Sequence, residues 1–153
     1  MKLPALCLVV LMPAWSAAAP APAAAVDPSG IERLLDAIAR IESHGDPKAV
    51  GDGGRALGAY QIHRVYWEEG TELLGVDWPH RDAAGSKKAR RVVKAYLLHY
   101  GRGKGLIEMA RIHNGGPRGD QRKATLPYVR KILADGSLSA GWHAPPSSHL
   151  FLR

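Results

Sequence analysis

The chain has 153 residues, enough for one compact domain and too few for two full ones. Hydrophobic residues make up 46% and charged ones 23%, a globular composition that excludes an intrinsically disordered chain. Lys and Arg number 21 against 14 Asp and Glu, and the net charge of +7 points to an anionic partner: a cell wall, a membrane surface or nucleic acid.

The first segment reads as a leader. Lys2 supplies a short positive stretch, Leu3 to Trp15 an apolar one interrupted by Pro4 and Pro13, and small residues with an Ala/Pro run continue to Val26. That order predicts a secretory signal peptide and linker over 1–25, with cleavage after Ala18 or Ala25. The apolar stretch is shorter than the ~20 residues of a spanning helix, which argues against a stable membrane anchor. The expected product is exported, to the periplasm or beyond. Cys7, the one cysteine, falls in this leader, so the domain that follows has to rest on its core without disulfides.

A domain over 27–135 reads as helices divided by glycine-rich turns. The first runs from Pro28 or Ile31 to Ser43, with Asp27 or Ser29 as N-cap and Gly45 past its end. Ile31, Leu34, Leu35, Ile38 and Ile41 keep helical spacing, and Glu42 falls within their stripe. Gly51 to Gly58 carries four glycines and predicts a loop or small irregular hairpin. A short helix is expected over Gln61 to Glu69, an irregular connection over Gly70 to Ala83, and an amphipathic helix over Ala84 to Tyr100. Leu106 to Asn114 makes another helix, and a last one follows Thr125 as cap, with Tyr128, Val129, Ile132 and Leu133 inward. The tail over 136–153, rich in Ser, Pro and Gly, receives no structure. The fold class is mainly α.

Glu42 is the sharpest candidate for chemistry. A glutamate at a helix end commonly pairs with a cation, but one lying in an apolar stripe is desolvated, which raises a carboxyl pKa toward what a general acid needs. Asp52, between Gly51 and Gly53, is a turn former on its plain reading and a second carboxylate on its functional one. Gly51 to Ala56 matches a dinucleotide fingerprint but follows a helix and lacks the βαβ setting, so it is rejected. The seven histidines show no metal-ligand spacing, and neither a metal nor a cofactor is expected. The Lys87, Arg90, Arg91 and Lys94 face is the solvated side of a helix. Gly101 to Gly105 is a flexible basic loop. Neither makes a nucleic-acid site, because no aromatic residues interleave with the charges.

Four blocks in order carry a resemblance. Ile38 to Ser43 resembles the catalytic-Glu helix of lytic transglycosylases and related lysozymes, and Gly58-Ala59-Tyr60-Gln61-Ile62 their Gln-Ile segment. Ala110 to Pro117 is similar to the corresponding segment of invertebrate-type (destabilase-like) lysozymes, and Thr125-Leu126-Pro127-Tyr128 to the final transglycosylase motif. The resemblance implies a lysozyme-like helical domain that cleaves peptidoglycan glycan strands as a monomer. In it Glu42 is the general acid, Asp52 the second carboxylate, and Ser43, Tyr60, Gln61, His113, Asn114 and Tyr128 the residues that hold the sugar chain. Two departures stand out: no cysteine follows Cys7, whereas the invertebrate enzymes are disulfide-rich, and the loop at Asp52 is shorter. Hydrolysis and lytic transglycosylation both remain open, and a cell-wall binding module without catalysis is the reading from another class.

Overall fold

The structure, a computed structural model, describes residues 27–138. The expected leader and most of the C-terminal tail lie outside the described residues. Helix α1 spans Pro28–Ser43. The Asp27 carboxylate caps it by accepting from the Ser29 backbone N–H, and Pro28 occupies the first turn, where a missing N–H costs nothing. Its end is closed by His44 in the left-handed conformation, whose N–H returns to the carbonyls of Ala39 and Arg40. Leu34, Leu35 and Ile38 on this helix are fully buried.

A two-stranded antiparallel hairpin follows, β1 over Val50–Gly51 and β2 over Ala56–Leu57, with Val50 opposite Leu57 and Gly51 opposite Ala56. A bridge between Leu57 and Ile62 ties the hairpin to the approach of the next helix. Gly58 makes this turn possible. Its φ is +74°, and an added Cβ would stand 2.0 Å from the Ala83 carbonyl oxygen, so no other residue fits.

Helix α2 spans Arg64–Leu74, α3 Ser86–Tyr100, α4 Leu106–Gly115 and α5 Leu126–Ala134. α2 begins three residues later than expected and continues five beyond Glu69. Gly70, which reads as a helix breaker, sits inside it because its bare backbone packs on Val92 of α3. The core joins Trp67, Val92, Val93, Leu97, Met109, Ile112 and Ile132 to the α1 residues. Each large aliphatic side chain so buried contributes about 1.5–3 kcal/mol.

Three expectations are corrected. Thr125 does not cap α5 with its side chain; its hydroxyl reaches the Gly119 and Arg122 carbonyls and accepts from Arg111 Nε at 2.9 Å. Leu133 is 51% exposed rather than inward. Leu138, in the segment read as tail, is buried in the core.

The expected basic face of α3 is partly neutralised. Arg90 donates to Glu32 and Asp36 on α1, and Lys94 to Glu32. Those two cations therefore bind α3 to α1 rather than face a partner. Among the described residues no helix is long and apolar enough to cross a membrane.

Candidate active site

A cleft of about 300 Å³ opens between the end of α1, the hairpin, the start of α2 and the end of α4. Glu42 lines it from α1, Asp52 and Ala56 from the hairpin, Gln61, Ile62 and His63 from the segment leading into α2, Tyr66 from α2, and His113 with Asn114 from α4. Five of the eight residues expected in the site therefore share its walls: Glu42, Asp52, Gln61, His113 and Asn114.

The other three are placed differently. Tyr60 is 3% exposed, and its phenol oxygen accepts from Arg90 Nη1 at 3.3 Å, on the α1–α3 side of the molecule. Ser43 donates its hydroxyl to the Ala59 carbonyl at 2.9 Å, fastening α1 to the Gln-Ile segment. Both support the cleft from behind rather than line it. Tyr128 is buried behind Glu42, and its hydroxyl favours the carboxylate's charged form.

Glu42 occupies the last turn of α1, its side chain 22% exposed. His113 Nε2 stands 3.6 Å from Glu42 Oε1, and the imidazole is 5% exposed. The other ring nitrogen, Nδ1, is hydrogen-bonded to the Tyr66 hydroxyl at 3.2 Å. Burial pushes the Glu42 carboxyl up, as its sequence position suggests, but His113, Tyr128 and Lys131 together outweigh that and hold it below its ordinary value. The expected net rise is therefore corrected: an apolar stripe predicts the desolvation, and the partners that overcome it come from α4 and α5, far along the chain. Burial drives the Tyr66 phenol well above its ordinary range, so it stays protonated.

Asp52 is held by different means. Its φ is +47°, a left-handed conformation that aspartate tolerates better than most residues. His63 Nε2 lies 2.8 Å from its Oδ2, with the two side chains 49% and 59% exposed. Gln61 is also left-handed, at φ +47°, and donates its side-chain amide to the Gly58 carbonyl at 3.0 Å. A Cβ at Gly51 would stand 2.0 Å from the Gln61 side-chain oxygen. The hairpin thus closes directly over Gln61.

Sequence reasoning missed His63 and Tyr66. His63 follows the Gln-Ile segment directly, and Tyr66 falls three residues later in the first turn of α2, on the same side. That adjacency is the signal that could have found them. Among the described residues no group of His, Cys, Asp and Glu is placed to hold a metal ion.

No protein-family model matches the chain. It is similar to Lysozyme 1 of Crassostrea virginica, 39% identical over 85 residues that make up 53% of this chain and 45% of that protein. It is also similar to Invertebrate-type lysozyme 6 of Caenorhabditis elegans, 34% identical over 117 residues, 67% of this chain and 84% of that protein. The chain belongs to the invertebrate-type lysozyme family. A chain from the crystal structure of Aeromonas hydrophila PliI in complex with Meretrix lusoria lysozyme matches it with a TM-score of 0.57 and 32% identity, over 67% of this chain and 88% of that one. The chain thus spans under half of the Crassostrea relative and most of the Caenorhabditis one. The family keeps its lysozyme-like helical fold here without a cysteine anywhere in the described domain.

Proposed function

We propose that this invertebrate-type lysozyme is an exported glycosidase that hydrolyses the β-1,4 linkage between muramic acid and glucosamine in peptidoglycan. The observation that carries the reading is that Glu42 and Asp52, one from a helix end and one from a hairpin, line a single polar cleft. Two carboxyls on one sugar site are what most glycosidases use, one to protonate the leaving oxygen and one to serve the anomeric carbon.

Glu42 is the acid: half-sheltered and ringed by proton-bearing partners, it can hold a proton against the glycosidic oxygen. Asp52 is the open carboxylate, exposed beside His63 and suited to stabilise positive charge at the anomeric carbon or to activate water. Gln61 and Asn114 offer amide groups to the sugar chain. The net charge of +7 favours an anionic wall polymer. Purified protein incubated with peptidoglycan should release muropeptides with reducing muramic acid ends, identified by mass. Glu42→Gln should keep its fold and lose about 10²–10⁴-fold in turnover. A folded Glu42→Gln protein with undiminished turnover would falsify the assignment, and 1,6-anhydro ends from the unaltered protein would replace hydrolysis with transglycosylation.

A further inference from the structure

Glu42 presents a chemical difficulty. A general acid has to carry a proton, yet the surroundings of this carboxyl favour its charged form. The geometry around His113 resolves the conflict. Its ring is nearly sealed from solvent, and its two nitrogens have different partners: Nε2 stands 3.6 Å from Glu42 Oε1, and Nδ1 is bonded to the Tyr66 hydroxyl at 3.2 Å. Tyr66 is itself fixed, because its ring stacks on Tyr96 with centroids 3.7 Å apart and meets the imidazole edge-on. The imidazole therefore cannot turn to exchange the roles of its nitrogens without breaking a buried hydrogen bond.

We propose that Glu42 and His113 act as one acid unit that holds a single proton between them, with Tyr66 a positioning residue that fixes which imidazole nitrogen exchanges it. The inference rests on the reading of Glu42 as the acid and supplies the regulation of that site. A neutral imidazole whose Nδ1–H donates to the Tyr66 oxygen leaves Nε2 bare and aimed at Glu42. The proton then resides on Nε2, opposite a carboxylate, or on Glu42, opposite a bare Nε2. These are two placements of one proton on a coupled pair, and the pair titrates as a unit. The 3.6 Å separation lies just beyond hydrogen-bond contact, a looseness common in unliganded sites that substrate binding tightens.

The proton count closes over one turnover. The Glu42 carboxyl proton passes to the glycosidic oxygen as its bond to the anomeric carbon breaks, and the departing sugar leaves as a neutral alcohol. Glu42 remains a carboxylate and His113 a neutral imidazole. When water adds its oxygen to the anomeric carbon, the proton it releases restores the pair. The other ionisable groups around the pair are Tyr128 and Lys131 on α5 and Tyr66 on α2, with Asp52 and His63 on the hairpin side of the cleft. Both tyrosines are driven up by burial and stay neutral. His113 is the imidazole of the Glu42 cluster, and imidazole is the side-chain type suited to exchanging a proton near neutral pH.

Coupling has a consequence for pH. With His113 present, the pair keeps its proton until the last of its two titrations, so cleavage persists toward neutral pH. With His113 replaced by a neutral residue, burial governs Glu42 alone, and its carboxyl titrates at higher pH than before. Cleavage nevertheless stops at lower pH, because no second group retains the proton. A residue that only held sugar would raise KM and move neither quantity.

The test follows kcat against pH for the unaltered protein, His113→Gln and Tyr66→Phe, together with NMR titration of the Glu42 carboxyl carbon. The expected result in His113→Gln is an upward move of the Glu42 titration and a downward move of the alkaline limb by a unit or more. The ratio of kcat at pH 5 to kcat at pH 7 then rises about 10-fold. Tyr66→Phe should shift both in the same directions by less. A His113→Gln protein with higher KM but unmoved limb and unmoved Glu42 titration overturns the proposal. If His113→Gln does not fold, Tyr66→Phe decides, and no shift in either measurement overturns it equally. A moved Glu42 titration in a protein that cleaves no glycan supports the pair and overturns the acid assignment instead.

Discussion

The cleft contains two histidine–carboxylate pairs, one built into the core and one left in water. Glu42 and His113 are 22% and 5% exposed and are set by helices α1 and α4, with tyrosines from α2 and α5 around them. Asp52 and His63 are 59% and 49% exposed and belong to a hairpin and the residue just before α2. The exposed pair has the shorter contact, 2.8 Å against 3.6 Å. Distance alone would rank it the stronger, and the surroundings reverse the order. In water an ion pair is screened and contributes about 0–1 kcal/mol. In a sheltered site each charge depends on its partner, and removing one leaves the other without compensation. Composition says nothing of this difference; packing creates it.

The largest expected effects are on chemistry. Asp52→Asn keeps the size of the side chain and its neighbourhood but removes the charge. If Asp52 serves the anomeric carbon, turnover should fall by about 10²-fold or more with the fold intact, approaching the loss in Glu42→Gln. A loss below about 3-fold would make Asp52 a turn residue, and the comparison would reduce to one working carboxyl and one ornamental pair. Circular dichroism run beside the turnover assay separates the cases.

A second expectation concerns stability in acid. The Glu42 carboxyl is depressed in the folded protein, so its contribution is present above its ordinary value of 4.5 and is lost as pH falls through the folded value. Asp135 behaves the same way. Arg40 reaches it in a two-pronged bond at 3.0 and 2.9 Å and, with Ser137, holds it at about 2. Thermal midpoints measured across this range should fall as pH drops from about 5 toward 2. Glu42→Gln should remove the upper part of that fall and Asp135→Asn the lower part. The sequence alone suggests that Glu42→Gln relieves a buried charge and stabilises the protein. The partners on α4 and α5 reverse that expectation at neutral pH. A Glu42→Gln protein with a higher midpoint at pH 7 would show desolvation prevailing after all.

What could be read from the chain follows from how far each interaction reaches. The α1 stripe, its Asp27 cap and the turn after it are local patterns, and they place Glu42 at a helix end facing inward. Local chemistry also puts Asp52 in a glycine-flanked turn. The limits of α2 could not be read, since Gly70 breaks helices by intrinsic preference and is tolerated only because α3 lies against it. Tyr60 sits beside a cleft residue in sequence, yet the turn over 58–61 directs its ring into the core toward Arg90. His113 was assigned to the cleft by resemblance. Its hold on Glu42 is set by the crossing of two helices 71 residues apart in sequence, which no local pattern encodes. The pairing of His63 with Asp52 depends on a hairpin register with only two residues per strand, too short to leave a periodic trace.

The smallest expected effect tests the exposed pair directly. His63→Gln removes the imidazole opposite Asp52 but keeps a group able to hydrogen-bond to it. Asp52 then loses one restraint on a left-handed backbone conformation that is mildly unfavourable for a residue with a Cβ. The hairpin retains its own ladder and the Arg55 side-chain bond to the Asp52 carbonyl at 3.0 Å, so the loop should keep its shape. A pair worth about 0–1 kcal/mol corresponds to a loss of at most about 5-fold in turnover at low salt. Salt should act on the two proteins differently. At about 1 M the screening length falls to roughly 3 Å, comparable to the contact itself, so the unaltered protein should lose most of its advantage over His63→Gln. The Glu42–His113 pair, shielded by protein, should keep its effect on the alkaline limb at the same salt concentration. Turnover of both variants measured from 0.05 to 1 M salt therefore distinguishes the pairs. If salt abolishes the His113→Gln shift as completely as the His63→Gln loss, burial does not separate them, and the contrast between the two sides of the cleft fails.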